Sequence, residues 1–363
     1  MDLKSQNIMF FLRAPQFGGT EAVVLQLCKI LKPYVNNIIV VCSKKGMKIQ
    51  ELNELKIELF DIPDIENKSL TVILSLINKL SKIIRNENIS VIHTHHRMAA
   101  FYTSILKCKY NFVFINTSHN TFYNKRYFTH IALKTANKIA CGNIVKQNLV
   151  DIFGFSENQI TVIHNAVEPF DGKITLLNDL TRLKNNGYFI VGSVGRLSEQ
   201  KGMEYFILSY LQVQKIYPNV KYVIIGDGEK KEDLKQLVEN LNISHNIIFL
   251  GYQENVRNIM SQMDLLVLSS LWEGFPLTPI EAFSVGKTII ATAVDGTIEI
   301  VTDGKNGYLV PAKDELMLAD KIIKLIQSET LRKNFENEAR KTYINNFSYE
   351  KYKEDIINYY LKI

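Results

Sequence analysis

Residues 189–202 read Phe-Ile-Val-Gly-Ser-Val-Gly-Arg-Leu-Ser-Glu-Gln-Lys-Gly, and an amphipathic stretch follows from Met203. The apolar run at the start predicts a buried strand, the glycines predict a tight turn, and the stretch beyond them predicts a helix. Parallel sheets are built from strands that pass in this way into covering helices. The segment therefore indicates an α/β fold.

The same alternation of short apolar runs and helix-length amphipathic stretches continues through both halves of the chain. It predicts two doubly wound parallel-sheet domains, each Rossmann-like, that face a central cleft. The predicted strands are Ile8–Leu12, Asn37–Cys42, Ser90–His93, Phe112–Thr117 and Lys138–Cys141, then Phe189–Val194, Lys221–Ile225, Ile247–Leu250, Leu265–Ser269 and Thr288–Ala291.

Length and composition agree with two domains, because 363 residues of which 46% are hydrophobic can fill two cores. Residues 169–187 are rich in Pro, Gly and Asn and predict a linker. We therefore expect an N-terminal domain at 1–168 and a C-terminal domain at 188–346. Residues 347–363 carry tyrosines and an isoleucine near helical spacing, which predicts an amphipathic final helix.

The charged fraction of 22% excludes a disordered class. Four cysteines without a C-x-x-C spacing are interpreted as reduced core thiols, and no apolar run is long enough for a signal peptide or a span, so we expect a cytoplasmic protein. Residues 1–150 hold 20 Lys+Arg and 9 Asp+Glu, whereas residues 151–363 hold 23 and 28. The basic half is suited to nucleic acid, anionic lipid or an anionic substrate, and a solvated lysine-rich surface explains it equally well.

Two segments of the second half are suited to an anionic ligand. In the first, Arg196 and Lys201 stand five residues apart around a glycine turn and can converge on a diphosphate. The alternative is an ordinary turn with two solvated cations.

The second segment, residues 273–281, reads Glu-Gly-Phe-Pro-Leu-Thr-Pro-Ile-Glu after a predicted strand. Pro279 is typical of the first turn of a helix, so the N–H groups around Phe275–Thr278 are available to an anion. Glu273 and Glu281 can accept hydrogen bonds from sugar and ribose hydroxyls, and helix capping is the alternative role for Glu281.

Together these motifs resemble the family-4 retaining glycosyltransferases, also called glycosyl transferase group 1, which have the GT-B fold. The resemblance covers nearly the whole chain. It rests on Gly195–Leu197 with Lys201–Gly202, on Glu273 and Glu281 separated by seven residues, and on Val294–Val301, Asp303–Val310, Gly18–Glu21 and His164–Glu168.

The resemblance implies a role for each matching residue. Arg196 and Lys201 would hold the donor diphosphate and take up the charge that grows as the glycosidic bond breaks. Glu281 would bind the ribose, and Glu273 would face the donor sugar. His119 would lie beside the transferred sugar.

The remaining donor contacts also come from the resemblance. Backbone N–H groups near Gly18, Gly19, Leu277 and Thr278 would assist at the diphosphate, with Phe275 and Pro276 in the same segment, and the turn at Asp227 would lie beside the nucleotide. The final helix would cross back to the N-terminal domain. The family pattern is broken by Pro276 and by Asp295-Gly296, which affects the choice of sugar.

No Asp-x-Asp pair stands at a predicted strand end, so we expect no metal and no cofactor, with the nucleotide-sugar as a co-substrate. His93, His95 and His96 lack a remote Cys, Asp or Glu partner and are interpreted as lining residues rather than metal ligands. By the resemblance, His95 and Arg97 are candidates for the acceptor side. Buried structural histidines are the alternative.

Residues 121–130 mix aromatic residues with cations, which is suited to an interface with anionic lipid headgroups. Core packing of Phe122 and Phe128 beside solvated lysines is the alternative. With lipid contact, the acceptor would be lipid-linked.

The expected function is transfer of a sugar from a nucleotide diphosphate sugar, UDP-sugar first, to a glycan acceptor. The acceptor is expected to be lipid-linked, with polyprenyl diphosphate as the candidate carrier, in bacterial capsule, exopolysaccharide or lipopolysaccharide synthesis, and a soluble acceptor is the alternative. The protein is then cytoplasmic or peripheral at the inner face of the membrane, and no nucleic acid partner is expected. A GT-B nucleotide-sugar epimerase and a non-catalytic nucleotide-sugar-binding protein are the alternatives; an NAD oxidoreductase is disfavoured because residues 14–20 lack G-x-G-x-x-G.

Overall fold

The computed structural model describes residues 2–14, 17–67 and 69–363, so Pro15 and Gln16 of the first turn lie outside the described residues. The chain divides into two compact units. The first consists of Met1–Asn165 with Glu350–Ile363, and the second of Ala166–Tyr349. Each unit contains one parallel sheet with helices around it.

The first unit has a seven-stranded sheet in the order β3-β2-β1-β4-β5-β6-β7, with every pair parallel. Its strands are β1 Asn7–Phe11, β2 Asn37–Cys42, β3 Glu58–Asp61, β4 Val91–Thr94, β5 Val113–Ser118, β6 Asn137–Ala140 and β7 Ile160–Val162. Its helices are α1 Gly19–Leu31, α2 Ile49–Glu54, α3 Leu70–Asn86, α4 Arg97–Lys107, α5 Arg126–Leu133 and α6 Asn143–Asp151.

The second unit has a six-stranded parallel sheet in the order β10-β9-β8-β11-β12-β13. Its strands are β8 Phe189–Val194, β9 Val220–Ile225, β10 Ile247–Gly251, β11 Leu265–Leu268, β12 Ile289–Thr292 and β13 Gly307–Val310. Its helices are α7 Asn178–Asn185, α8 Met203–Ile216, α9 Lys231–Asn240, α10 Val256–Ser261, α11 Leu277–Ser284, α12 Thr297–Ile300, α13 Glu315–Gln327 and α14 Glu329–Asn346, and α15 Tyr349–Lys362 ends the chain.

Counted from its own first strand, each sheet begins 3-2-1-4-5-6, which is the Rossmann order. The central strands are apolar along their length because helices cover both faces of a parallel sheet. The predicted α/β class with two Rossmann-like domains is confirmed. In each unit the strand order reverses between the first and fourth strands, β1 and β4 or β8 and β11, and ligands of such sheets bind beyond the carboxyl ends there.

All ten predicted strands exist; two have the predicted bounds, and the ends of the others differ by at most one residue. Sequence analysis missed β3, β7 and β13, which have three or four residues and contain either exposed side chains or a leading glycine. These features hide the apolar run on which the strand prediction depends. One thiol also differs: Cys108 is exposed, at the end of α4, whereas the other three cysteines are buried.

The segment predicted as a linker is partly helical. Helix α7 occupies Asn178–Asn185. Before the helix, Asn258 Oδ1 and Nδ2 pair with the backbone of Thr175 at 2.8 Å, and Gln262 Oε1 accepts from Leu177 N at 3.0 Å. These amide side chains satisfy backbone groups of the segment and hold it on the second unit.

Helix α15 belongs to the first unit from Glu350 onward. It buries Tyr352, Ile356, Tyr359 and Tyr360, the apolar face that the sequence predicts. No helix among the described residues is both long enough and apolar enough to cross a membrane.

Candidate active site

The turn after β8 is tightly packed against the turn after β9. Leu197 N donates to the carbonyl oxygen of Asp227 at 3.0 Å. A Cβ atom at Gly226 would lie 1.9 Å from the Gly195 carbonyl oxygen, so only glycine allows this approach. The structure thus brings the Arg196 turn and the Asp227 turn together, with the Asp227 carboxylate paired to Lys231 at 2.8 Å.

Lys201 and Glu273 form an ion pair at the carboxyl ends of β8 and β11. Lys201 Nζ lies 2.5 Å from Glu273 Oε1, and only 15% and 7% of the two side chains are exposed. Ser270 Oγ donates to the same carboxylate oxygen at 2.6 Å, and Gln200 Nε2 donates to Oε2 at 3.4 Å. Charge-assisted hydrogen bonds of this kind fix a carboxylate in one orientation.

Backbone contacts hold the two loops of this pair together. Leu271 N donates to the Gln200 carbonyl at 2.7 Å, and Gln200 Nε2 donates to the Trp272 carbonyl at 3.0 Å. Ser269 Oγ donates to the Lys201 carbonyl at 3.1 Å. The positions of the Lys201 and Glu273 side chains therefore follow from adjacent strands of one rigid sheet.

Asp295 supports Glu273 from a third loop. Its Oδ2 accepts a hydrogen bond from Glu273 N at 3.1 Å, and its φ of +36° is rare for any residue except glycine. Burial raises the pKa of Asp295, and the neighbouring Glu273 carboxylate raises it further, while the Glu273 N–H lowers it. Gly296 is required beside it, because a Cβ there would lie 1.9 Å from the Gly274 carbonyl oxygen.

Helix α11 begins at Leu277, with Pro276 as its N-terminal cap and no side-chain capping bond. The N–H groups of Leu277 and Thr278 therefore stand in the first turn, and Pro279 occupies that turn as predicted. Glu281 is the fifth helical residue, beyond the capping positions, which removes the support for a capping role.

Glu281 lies within the field of two cations. Burial raises the pKa of Glu281, and the positive charges of Arg257 and Lys201 act in the opposite direction. Arg257 in turn donates to the carbonyl oxygen of Glu168. The second unit thus gathers Arg196, Lys201, Asp227, Glu273, Phe275–Thr278 and Glu281 at one edge of its sheet.

In the first unit the predicted residues His95 and His119 are in direct contact. His95 Nδ1 and His119 Nε2 are 2.9 Å apart, and the rings stack with centroids 5.2 Å apart. His93 lies beneath them, with its ring centroid 4.3 Å from that of His95, and shares hydrogen bonds of 2.8 Å with Tyr360 Oη and Thr117 Oγ1.

Burial keeps these rings neutral. It lowers the pKa of His93 to about 3 and that of His119 to about 4, and it lowers the pKa of His95 well below 6.5. His96 instead caps α4, where its Nδ1 accepts from Met98 N at 3.2 Å. Across residues 2–14, 17–67 and 69–363, no three His, Cys, Asp or Glu side chains are grouped in a way that could hold a metal ion.

Arg97 opens α4, and its guanidinium carbon lies 3.7 Å from the centre of the Phe122 ring. Gly18 is the N-terminal cap of α1, and Gly19 is its first residue, after the carboxyl end of β1. These residues, like His95 and His119, therefore surround the carboxyl edge of the first sheet near the reversal between β1 and β4.

Sequence analysis missed Gln200, Ser270 and Arg257 and treated Asp295 only as a departure from a pattern. Ser270 could have been found, since it follows the carboxyl end of β11 and stands three residues before Glu273. Nothing in the sequence indicates Gln200 or Arg257, because their contacts with Glu273 and Glu168 join residues 73 and 89 positions apart.

Comparisons with known proteins identify the family of the chain. The family model for glycosyl transferases group 1 matches residues 181–342, and that for glycosyltransferase family 4 matches residues 17–169. An uncharacterized glycosyltransferase of Methanocaldococcus jannaschii is 31% identical over 93% of this chain and 92% of its own. The UDP-Gal:alpha-D-GlcNAc-diphosphoundecaprenol alpha-1,3-galactosyltransferase of Escherichia coli is 26% identical over 96% of this chain and 94% of its own.

Among solved structures, HepE of Anabaena in complex with UDP-glucose covers 98% of this chain and all of its own, with a TM-score of 0.84 at 22% identity. A glycosyltransferase from Rickettsia africae covers 99% of this chain and 98% of its own, with a TM-score of 0.82 at 24% identity. These likenesses establish the GT-B fold. The chain therefore belongs to the family-4, group 1 glycosyltransferases.

Proposed function

We propose that this glycosyltransferase moves a sugar from a UDP-sugar to a lipid-linked glycan acceptor, with retention of anomeric configuration, during the assembly of a bacterial surface polysaccharide. The observation that carries the proposal is the buried Lys201–Glu273 pair, which lies in the same unit as the Arg196 turn and the first turn of α11. Cations and a carboxylate side by side fit a ligand that joins a diphosphate to a hydroxylated sugar.

The chemistry needs stabilisation of a leaving group. As the glycosidic bond breaks, negative charge grows on the diphosphate oxygen, and Arg196, Lys201 and the N–H groups of Leu277 and Thr278 would neutralise it. Preorganised donors of this kind contribute about 3–4 kcal/mol each at well-studied sites. The Lys201 ammonium group would then exchange part of its contact with Glu273 for the phosphate.

Retention fits a front-face substitution. The bond between the anomeric carbon and the phosphate oxygen breaks, the acceptor oxygen bonds to the same face, and the acceptor proton passes to the leaving phosphate oxygen. Glu273 would accept hydrogen bonds from the donor sugar, and Glu281 would accept them from the ribose. His119 would contact the transferred sugar as a neutral ring, because its pKa is lowered to about 4.

The proposed donor and acceptor are taken from the names of similar proteins. The Escherichia coli relative is named for UDP-Gal and a diphosphoundecaprenol-linked acceptor, and a Staphylococcus aureus relative, 31% identical over 58% of this chain, is named for capsular polysaccharide biosynthesis. The HepE structures hold UDP or UDP-glucose. His95 and Arg97 remain the candidates for acceptor contact.

We also propose that no metal or other cofactor is needed, since Arg196 and Lys201 supply the charge that a divalent ion would otherwise bring to the diphosphate. Transfer measured in excess EDTA should equal transfer with added Mg²⁺ or Mn²⁺. Loss of activity in EDTA that Mn²⁺ restores would contradict this part of the proposal.

The test of the whole proposal is a transfer reaction. The purified full chain is incubated with UDP-glucose, UDP-galactose or UDP-N-acetylglucosamine and an acceptor of N-acetylglucosamine on polyprenyl diphosphate, and the product is analysed by NMR for its anomeric configuration. An α-linked product from an α-linked donor supports retention. A β-linked product overturns retention, and binding of donor without any product favours a non-catalytic binder.

A further inference from the structure

The segment between residues 88 and 150 has an unusual charge. It contains eight Lys+Arg residues and no Asp or Glu, although acidic residues make up a tenth of the whole chain. Such a stretch attracts an anionic partner, because no acidic side chain within it opposes the field of the cations. Within it, one exposed element combines cations with apolar side chains, the loop and helix at residues 121–134.

This element is firmly attached to the first unit. Asn148, which is buried, accepts from Phe122 N at 3.0 Å and donates to Phe122 O at 3.1 Å. Phe128 packs on Phe101 with ring centroids 5.0 Å apart, and Arg126 Nε donates to the Ile152 carbonyl at 2.9 Å. The two phenylalanines are half-buried, so they meet the core-packing alternative from sequence analysis only in part.

Three further apolar side chains of the element point to solvent, whereas Ala132 and Leu133 are buried. Tyr123, Tyr127 and Ile131 are 69%, 80% and 43% exposed, and they stand four residues apart. Spacing of four places Tyr127 and Ile131 on one face of α5, and Lys134 follows on the same face one turn later. Lys125 is exposed at the start of the helix. Tyr123, Tyr127, Ile131, Lys125 and Lys134 are called the Tyr127 surface below.

We propose that the Tyr127 surface is a docking surface for an anionic lipid bilayer, in which the tyrosines and the isoleucine enter the headgroup layer and the lysines contact lipid phosphates. Exposed rings and an aliphatic side chain flanked by cations are the composition of interfacial membrane-binding helices. The surface is less suited to single-stranded nucleic acid than to a bilayer, since Ile131 offers no ring on which a base could stack.

The Tyr127 surface lies near the candidate acceptor residues, which gives membrane binding a role in acceptor access. This role rests on the proposed lipid-linked acceptor. Arg97 stacks on Phe122 and donates to Asn124 Oδ1 at 3.1 Å. The acceptor-side candidate Arg97 is therefore in contact with the loop that carries Tyr123. A bilayer bound here would present headgroup-level sugars beside Arg97.

The test is co-sedimentation of the full chain with vesicles of phosphatidylcholine, alone or with one-third phosphatidylglycerol. We expect binding only with phosphatidylglycerol. Lys125→Gln with Lys134→Gln should weaken it about 25-fold, since each cation near a membrane surface is worth about fivefold. Tyr127→Ser with Ile131→Ser should weaken it at least tenfold. Arg126 is left unchanged because its guanidinium supports the fold.

Two matched controls lie on the same unit. Leu70→Ser with Leu74→Ser removes another exposed apolar pair, on α3, and Lys45→Gln with Lys82→Gln removes two exposed cations elsewhere. Both controls should bind vesicles as the unchanged chain does. Equal losses in the controls would overturn the assignment to the Tyr127 surface, as would binding to an oligonucleotide, lost in the Tyr127 variants, with no binding to vesicles.

Failure of this inference can be told apart from failure of the proposed function. Release of free nucleotide from a sugar donor in solution needs no bilayer, so the Tyr127 variants should retain it in full. Donor turnover without vesicle binding would overturn the docking surface alone. Vesicle binding by a chain that neither hydrolyses nor binds any nucleotide-sugar would overturn the proposed function alone.

Discussion

Four other residues of the second unit hold Glu273 in place. Its carboxylate meets Lys201, Ser270 and Gln200, and its backbone N–H donates to Asp295. A carboxylate held by so many partners costs little to orient when a ligand arrives, which is how preorganised sites gain their effect.

Lys201 is the residue whose removal should be most informative. Lys201→Ala should lower turnover by on the order of 10²-fold, because the leaving diphosphate loses a preorganised cation. Single-turnover measurement of nucleotide release gives the rate of donor cleavage for the unchanged chain and the variant. Lys215→Ala, an exposed lysine on α8, is the control and should be neutral. A Lys201→Ala variant with a higher KM and full turnover would contradict charge stabilisation by this residue.

The limits of sequence analysis are clearest at the scale of single residues. Sequence analysis proposed Lys201, Glu273 and Glu281 because each belongs to a motif of neighbouring residues in the sequence. Gln200 and Arg257 were not, because their roles arise from contacts between loops that only the sheet order brings together. Asp295 was noticed, yet its hydrogen bond to Glu273 depends on a left-handed backbone that the sequence alone does not reveal.

At the scale of elements, both candidate groups of residues stand where strand order reverses. The carboxyl ends of β8 and β11 carry the Lys201–Glu273 pair, and those of β1 and β4 carry the α1 cap and His95. The apolar runs of the other ten strands predicted this arrangement. Strands β3, β7 and β13 each lie at an edge of their sheet, where fewer buried side chains are needed, and their sequences gave too weak a signal.

The buried histidines, which lie where β4, β5 and α15 meet, should make the stability of the first unit depend on pH. The pKa of His93 is lowered to about 3, whereas a histidine in the unfolded chain binds its proton near 6.5. Between these values the unfolded state binds more protons, so the free energy of unfolding should fall as the pH falls from 6.5 toward 4. At pH 5 His93 should account for a loss of about 2 kcal/mol in the free energy of unfolding.

Urea unfolding of the full chain at pH 7 and pH 5 measures this loss. His93→Gln should reduce the difference between the two pH values, whatever it does to stability at pH 7. His245→Gln, which changes an exposed histidine of the second unit, should leave the difference unchanged. An unaltered pH dependence in His93→Gln would show that His93 is not a source of it.

At the scale of the whole molecule, the family is established by models that match both halves and by a relative that spans nearly the whole chain. The fold class and the kind of enzyme were accessible from motifs alone. The identity of the sugar was not, since pocket shape decides it and loops such as the one at Asp295 build that shape.

The central claim is that the second unit binds a nucleotide-sugar and activates it through Lys201 and Glu273. The most direct measurement is release of free nucleotide from a panel of UDP-, GDP- and ADP-sugars without acceptor, for the unchanged chain and for Glu273→Gln. We predict selective hydrolysis of one UDP-sugar that the variant loses. Heat of binding is measured for the same panel, and absence of both hydrolysis and binding with every donor would contradict the account.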